Sequence, residues 1–201
     1  MAYAVIVRGA SRLNYTVEAS DGSSFCIPVS LCRSLDLHKG DQFTEEEYIH
    51  LKRKVFLILS RKKAVELLAR REHGEYELQI KLLEKGFDRQ IVEETLSSLK
   101  EENLQSDFRF AESLIRSRQR NNPEGVPLLR LRLRAKRVDS KAAESAIAKW
   151  METDDNRYQA VKKAIERYLR RHKDSERIVE ALQKKGFTRT EVLEVLEDLK
   201  Q

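Results

Sequence analysis

Two segments of this chain, one hundred residues apart, carry nearly the same text. KGFDRQIVEETLSSLK begins at Lys85 and KGFTRTEVLEVLEDLK at Lys185, and nine of their sixteen positions are identical. Each reads as the end of one helix and the start of the next. Gly86 and Gly186 follow apolar-periodic runs, and the position past a helix end turns left-handed, a conformation glycine enters without a Cβ penalty. Phe87 and Phe187 then fold back as apolar plugs, and Asp88 and Thr188 are N-cap residues. Val92, Leu96 and Leu99 recur at the helical period, as do Val192, Leu196 and Leu199. Upstream, Leu78 and Leu82 match Ile178 and Leu182, and the pair Arg70-Arg71 matches Arg170-Arg171. One unit is thus three short helices, over about 61–72, 75–85 and 88–101 in the first copy and about 156–172, 174–185 and 188–200 in the last.

A degenerate copy lies between them. RLRAKRVDSKAAESAIAKW aligns Leu133 with Leu82, Val138 with Phe87, Asp139 with Asp88, Ile147 with Leu96 and Trp150 with Leu99. Arg137 stands where the glycine should be, which costs roughly 1 kcal/mol if Arg137 takes a positive φ. Read alone, LLRLRLR alternates like a strand. The i, i+4 spacing of Leu129 and Leu133, kept by the flanking copies, assigns it to a helix instead. A helical period of about 50 residues predicts tandem bundles, each burying its own apolar faces and touching its neighbours.

Before the repeats the chain changes character. AYAVIVRG, NYTVEAS and SFCIPV are rich in β-branched and aromatic residues and are separated by the turn signals Gly9-Ala10-Ser11 and Asp21-Gly22. They predict a small antiparallel sheet, followed by a short helix that Gly40 ends. Thr44 and Glu47 form a capping box, from which a helix runs without a breaker through Tyr48, Leu51 and Val55 into the first repeat. Too few residues precede that helix for an independent core, so the sheet is expected to lean on it. The expected architecture is mainly α: three tandem three-helix-bundle repeats in an elongated array, with a small N-terminal antiparallel β extension. The expected boundaries are 1–43 for the β-rich extension, 44–60 for a connecting helix, and 61–101, 107–151 and 156–201 for the repeats.

Chemistry leaves few marks. Cys26 and Cys32 have neither redox nor zinc spacing, so reduced thiols are expected, and the four histidines are scattered. No metal site, cofactor or catalytic residue is expected: no phosphate-binding loop, nucleophile elbow or His–carboxylate cluster occurs. His73 is assigned to a turn. Phe87, Phe110, Trp150 and Phe187 are assigned to the core, with Tyr158 and Tyr168 less firmly tied to it. No apolar run approaches the ~20 residues that cross a bilayer, and MAYAVIV lacks the basic start and cleavage site of a signal peptide. A cytoplasmic, monomeric protein is expected.

The net charge of +6 is unevenly spread. Residues 1–60 and 61–101 are each neutral, whereas 102–152 hold 11 basic groups against 7 acidic and 153–201 hold 12 against 10. Within 116–137, Arg116, Arg118, Arg120, Arg130, Arg132, Arg134, Lys136 and Arg137 face a single acid, Glu124. Arg130, Arg134 and Arg137 fall at i, i+4 and i+7 and are expected on one helix face. Guanidinium forks suit phosphate and carboxylate alike. A solvated helix face is the plain alternative, and the near-absence of acids argues for a contact surface. Arg70, Arg71, Arg170 and Arg171 are expected at the C-terminal ends of first helices, either complementing the dipole or touching a partner.

Two runs carry a family resemblance. LLARREHGEYELQIKLLEKGF at 67–87 and FAESLIRSRQRN at 110–121 resemble the RecX family of regulatory proteins, which modulate the RecA recombinase. The matched positions include Arg70, Arg71, His73, Glu77, Lys85, Gly86 and Phe87, then Phe110, Glu112, Ile115, Arg116 and Arg118. Lys136-Arg137-Val138 departs from the family's usual lysine-glycine pair, and NNPEGVP at 121–127 departs from its glycine-containing turn. The resemblance implies a curved array of three-helix bundles lying in the groove of a RecA–DNA filament and limiting strand exchange, ATP hydrolysis and filament growth. It brings no catalytic residues. The implied partners are a RecA-type filament and single- or double-stranded DNA; the alternative is a filament-independent DNA-binding helical protein.

Overall fold

A computed structural model describes residues 3–8, 13–169 and 174–199. The turn signal Gly9-Ala10-Ser11 and the pair Arg170-Arg171 lie outside the described residues. The chain divides into two compact units, one of Met1–Val65 with Leu82–Ser98 and one of Glu66–Lys81 with Leu99–Gln201.

In the first unit, strands β1 (Ala4–Arg8), β2 (Asn14–Ala19), β3 (Ser24–Pro28) and β4 (Gln42–Phe43) form an antiparallel sheet in the order β3-β2-β1-β4. Ile6 pairs with Val17, and Val17 with Phe25. Because side chains alternate across a strand, Ala4, Ile6, Val17, Phe25 and Ile27 are all buried in one cluster with Tyr48, Leu51 and Val55 of helix α2. The sheet therefore leans on the long helix, as the sequence predicts. Two residues of β4 were too short a run to show any alternation.

Helix α1 (Val29–Ser34) stops earlier than Gly40. Asp36 makes the turn at φ 54°, with the Leu37 amide donating to the Cys32 carbonyl. A short polar side chain tolerates the left-handed region. Gly40, at φ 96°, instead donates its amide to the Ile6 carbonyl on the way into β4. Helix α2 (Glu45–Leu68) opens on the expected capping box: the Thr44 amide donates to Glu47 Oε2 at 2.8 Å and the Glu47 amide donates to Thr44 Oγ1 at 3.3 Å. It ends at Leu68, four residues short of the expected end.

Among the described residues eight further helices follow: α3 (Glu75–Leu83), α4 (Arg89–Glu101), α5 (Asp107–Asn121), α6 (Val126–Ala135), α7 (Ser140–Met151), α8 (Asp154–Leu169), α9 (Ser175–Gln183) and α10 (Arg189–Asp198). LLRLRLR is helical, and the strand-like alternation is overruled. After α3, α6 and α9 the same turn recurs. Gly86 and Phe87 donate to the Leu83 and Leu82 carbonyls, Arg137 and Val138 to Arg134 and Leu133, and Gly186 and Phe187 to Gln183 and Leu182. This crossed pair of hydrogen bonds is the Schellman motif, which needs its first donor at positive φ. Gly86, Arg137 and Gly186 sit at 84°, 53° and 83°. Arg137 thus makes the glycine's turn, but it does so beyond the end of α6 and off its helical face.

In the second unit the middle and last copies keep separate cores. Phe110, Ile115, Leu129, Leu133, Val138 and Ile147 form one, and Val161, Ile165, Ile178, Leu182, Phe187 and Leu196 belong to the other. Half-buried Trp150 packs against both, and Tyr158 and Tyr168 pack on the second. Asp107 ties neighbouring elements together: Oδ1 accepts from the Glu75 amide at 2.7 Å and Gln105 Nε2 at 2.9 Å, and Oδ2 accepts from the Asp139 amide at 2.8 Å.

The two cores meet at a point of backbone contact. The Gly125 amide donates to the Lys185 carbonyl at 2.9 Å. A Cβ on Gly125 would stand 1.8 Å from the Gly186 carbonyl oxygen, so no side chain fits there without moving main chain. Gly125→Ala should destabilise the protein by about 1–3 kcal/mol, seen as a lower midpoint in thermal unfolding. Gly125 lies at φ −73°, so the loss comes from the clash and not from backbone strain.

Candidate functional site

The basic stretch 116–137 spans the end of α5, a turn and all of α6, and the structure sorts its cations by what holds them. Glu124 is only 1% exposed. Its carboxylate accepts from Arg132 Nη2 at 3.0 Å and lies 3.8 Å from Arg118 Nη1. Gln119 closes the turn from both sides, donating to the Glu124 carbonyl at 2.8 Å and accepting from its amide at 3.2 Å. A buried carboxylate stripped of its cations would be left uncompensated. Arg118 and Arg132 are therefore committed to the fold.

Arg130 is held more loosely. It forks onto Glu144 of α7, with Nε and Nη2 each 2.8 Å from a carboxylate oxygen. Those hydrogen bonds, with the charge beside them, hold the Glu144 carboxyl below its ordinary range. Both side chains are more than half exposed, and such surface pairs contribute only about 0–1 kcal/mol. A competing anion can displace Glu144 at small cost. Arg137 lies with its guanidinium carbon 4.4 Å from the centre of the Tyr76 ring. Arg116, Arg120, Arg134 and Lys136 are exposed, and their side chains meet no partner among the described residues.

Arg130, Arg134 and Arg137 do come together, as expected, although only the first two lie on α6. They line a groove of about 570 Å³ between α6 and α7, floored by Val138 and Ala143. Arg137 reaches it because the left-handed turn carries it there, not because of helical periodicity.

The Arg70-Arg71 pair is corrected in one respect. Both residues lie beyond the end of α2 at Leu68, so they do not cap its last turn as helix residues. Arg70 is exposed, and Arg71 turns to Glu77 on α3 and donates to the Glu72 carbonyl at 3.0 Å. His73 is 3% exposed, with Nδ1 3.3 Å from Glu77 Oε2 but not aligned for a hydrogen bond. Burial, then the charges of Arg71 and Lys81, push its pKa down, against a smaller upward pull from Glu77. Burial pushes the Glu77 carboxyl up, and the Arg71 hydrogen bond and the surrounding cations outweigh it, so Glu77 titrates low.

Several contacts around these elements carried no sequence signal. Arg109 donates to Glu72 Oε1 at 2.8 Å, to Asn103 Oδ1 at 2.8 Å and to the Leu104 carbonyl at 3.0 Å. Lys185 Nζ donates to Asn122 Oδ1 at 2.7 Å and lies 5.3 Å from the Tyr168 ring centre. Burial and then Arg167 push the Lys185 pKa down, with Glu124 opposing them. Glu144 and Tyr76 lie outside the basic run altogether. Among the described residues no cluster of metal-ligating side chains occurs, and no helix is long and apolar enough to cross a membrane.

Fold and surface together define a class: a tandem three-helix-repeat protein that displays exposed cations on its middle repeat. Family models describing the first and second three-helix domains of RecX match residues 61–99 and 106–147. The Regulatory protein RecX of Chlorobaculum tepidum is 34% identical over 124 residues, covering 62% of this chain and 78% of that protein. The Regulatory protein RecX of Mannheimia succiniciproducens is 49% identical over 55 residues, which are 27% of this chain and only 36% of that one. A crystal structure of regulatory protein RecX superposes with a TM-score of 0.66 at 19% identity, covering 98% of this chain and 100% of the other. The chain belongs to the RecX family, whose members named here are regulatory proteins.

Two outcomes check the geometry. Glu124→Gln should lower the thermal midpoint by several degrees, whereas Glu144→Gln, at an exposed pair, should leave it nearly unchanged. A His73 that is neutral in the fold and titrates below its ordinary 6.5 takes up its proton in the unfolded chain first. Its contribution is therefore intact above 6.5 and lost as pH falls through the lowered value. Thermal midpoints of the wild type should fall more steeply than those of His73→Gln as pH drops from about 7 to about 5; parallel curves would remove His73 from that role.

Proposed function

We propose that this chain regulates a RecA-type recombinase by lodging in the helical groove of its DNA filament, and that it inhibits strand exchange, ATP hydrolysis and filament growth. The observation that carries the reading is the set of unengaged cations on the middle repeat, Arg116, Arg120, Arg134 and Lys136, in a chain of the RecX family. They owe nothing to the fold's internal ion pairs and are available to carboxylates or phosphates. Arg130 and Arg137 can join them once Glu144 and Tyr76 are displaced. We further take 1–43 as an extension, 44–60 as a connecting helix, and 61–101, 107–151 and 156–201 as repeats that engage successive filament protomers. Several weak contacts on one scaffold then add as avidity. The acting species is taken as a cytoplasmic monomer without cofactor or catalytic residue. Arg70, Arg71, Arg170 and Arg171 belong to the same proposed contact set.

A filament ATPase and strand-exchange assay tests this. The wild type should slow both. Arg134→Glu combined with Lys136→Glu should raise the half-inhibitory concentration by about tenfold or more with an unchanged circular-dichroism spectrum, since both side chains are exposed. Unchanged rates at saturating protein would remove the regulatory reading. If the protein instead binds naked DNA equally well, with affinity falling steeply as salt rises, filament-independent DNA binding takes its place.

A further inference from the structure

The alternation LLRLRLR leaves one leucine that the fold does not use. Leu129 and Leu133 are fully buried in the middle core, but Leu131 is 60% exposed. On α6, positions 127, 130, 131 and 134 fall at i, i+3, i+4 and i+7 and so make one stripe facing away from that core. All four line the groove between α6 and α7, with Arg137 entering from the turn beyond. An exposed leucine is thus flanked along its helix by Arg130 and Arg134 and overlooks the apolar floor of Val138 and Ala143.

From this arrangement we infer that the groove between α6 and α7 is a docking site for an acidic protein segment carrying one apolar anchor side chain, with carboxylates on the arginines and the anchor against Leu131. This rests on reading the chain as a regulator that binds a protein partner. Charge complementarity selects the occupant: the rim holds three guanidiniums, and its acid, Glu144, is already taken by Arg130. Arg134 has no partner among the described residues. A planar guanidinium accepts a carboxylate through two parallel hydrogen bonds, and acidic-motif recognition by arginine clusters is a recurrent mode. Nucleic acid fits less well. Stacking a base needs an exposed aromatic ring, and no aromatic side chain lines the groove. An exposed leucine offers phosphate nothing.

The test uses the whole 201-residue chain and fluorescence anisotropy with three labelled probes: a peptide of glutamates with one central leucine, the same peptide with serine at the centre, and a dT oligonucleotide of equal charge. The leucine peptide should bind about tenfold tighter than the serine peptide, which is the share of one partly buried leucine. Leu131→Ser, at an exposed position, should erase that ratio while leaving the serine peptide's affinity unchanged, and Arg134→Gln should weaken both peptides. Equal binding of the two peptides, a ratio that survives Leu131→Ser, or an oligonucleotide that matches the leucine peptide would overturn the inference. A filament ATPase assay on the same preparation separates the two claims. Inhibition without a peptide preference sinks the groove alone. A preference without inhibition sinks the filament reading and leaves the groove as an acidic-peptide site.

Discussion

The left-handed residue that follows each middle helix sets the direction of everything after it. At Gly86, Arg137 and Gly186 the chain must take a positive φ so that two crossed hydrogen bonds can satisfy the last carbonyls of the helix. The next residue, Phe87, Val138 or Phe187, is thereby pointed back toward the helix it has just left. Val138 and Phe187 are buried as a result. In the middle copy the position is filled by an arginine, at a cost of about 1–2 kcal/mol for a side chain in that region. Stacking on Tyr76 offsets about 0.5–1 kcal/mol of this. The same substitution that strains the turn delivers a guanidinium to the mouth of the groove beside α6.

Burial, more than distance, separates structural cations from available ones. Arg132 to Glu124 and Arg130 to Glu144 are both well-formed ion pairs, at 3.0 and 2.8 Å. Glu124 is sealed from water, so its arginines cannot leave without stranding a charge in the interior. Glu144 is open to solvent, so Arg130 can exchange it for another carboxylate with little change in free energy. The basic stretch is therefore not one uniform patch. Part of it stitches α5 to α6, and part of it is exposed and unpaired among the described residues.

Much of the architecture was legible in the residues. The repeated glycine turn, the capping box at Thr44, the lean of the sheet on Tyr48, Leu51 and Val55, and the helical reading of LLRLRLR all follow from local rules of spacing and backbone preference. Errors fell where a local rule had two solutions. Gly40 looked like the stop for α1, yet Asp36 could make the turn four residues sooner. Arg70 and Arg71 looked helical, yet the chain had already left α2 at Leu68, with Arg71 drawn to Glu77. Arg137 was placed on a helix face by periodicity and reached the same groove by a different route.

What the sequence determined by itself is the copy number of the helical unit, its turn chemistry and the location of the excess positive charge, because each depends on residues close together in the chain. Which arginines are free was decided only by tertiary structure. Glu144 and Tyr76 come from elsewhere in the sequence, and no spacing within 116–137 signals their approach. The same holds for Gly125, which looks like an ordinary turn residue until the Gly186 carbonyl oxygen comes within 1.8 Å of where its Cβ would be. Contacts of that kind depend on how whole helices pack, and packing is set by the summed shape of side chains that lie far apart in the text.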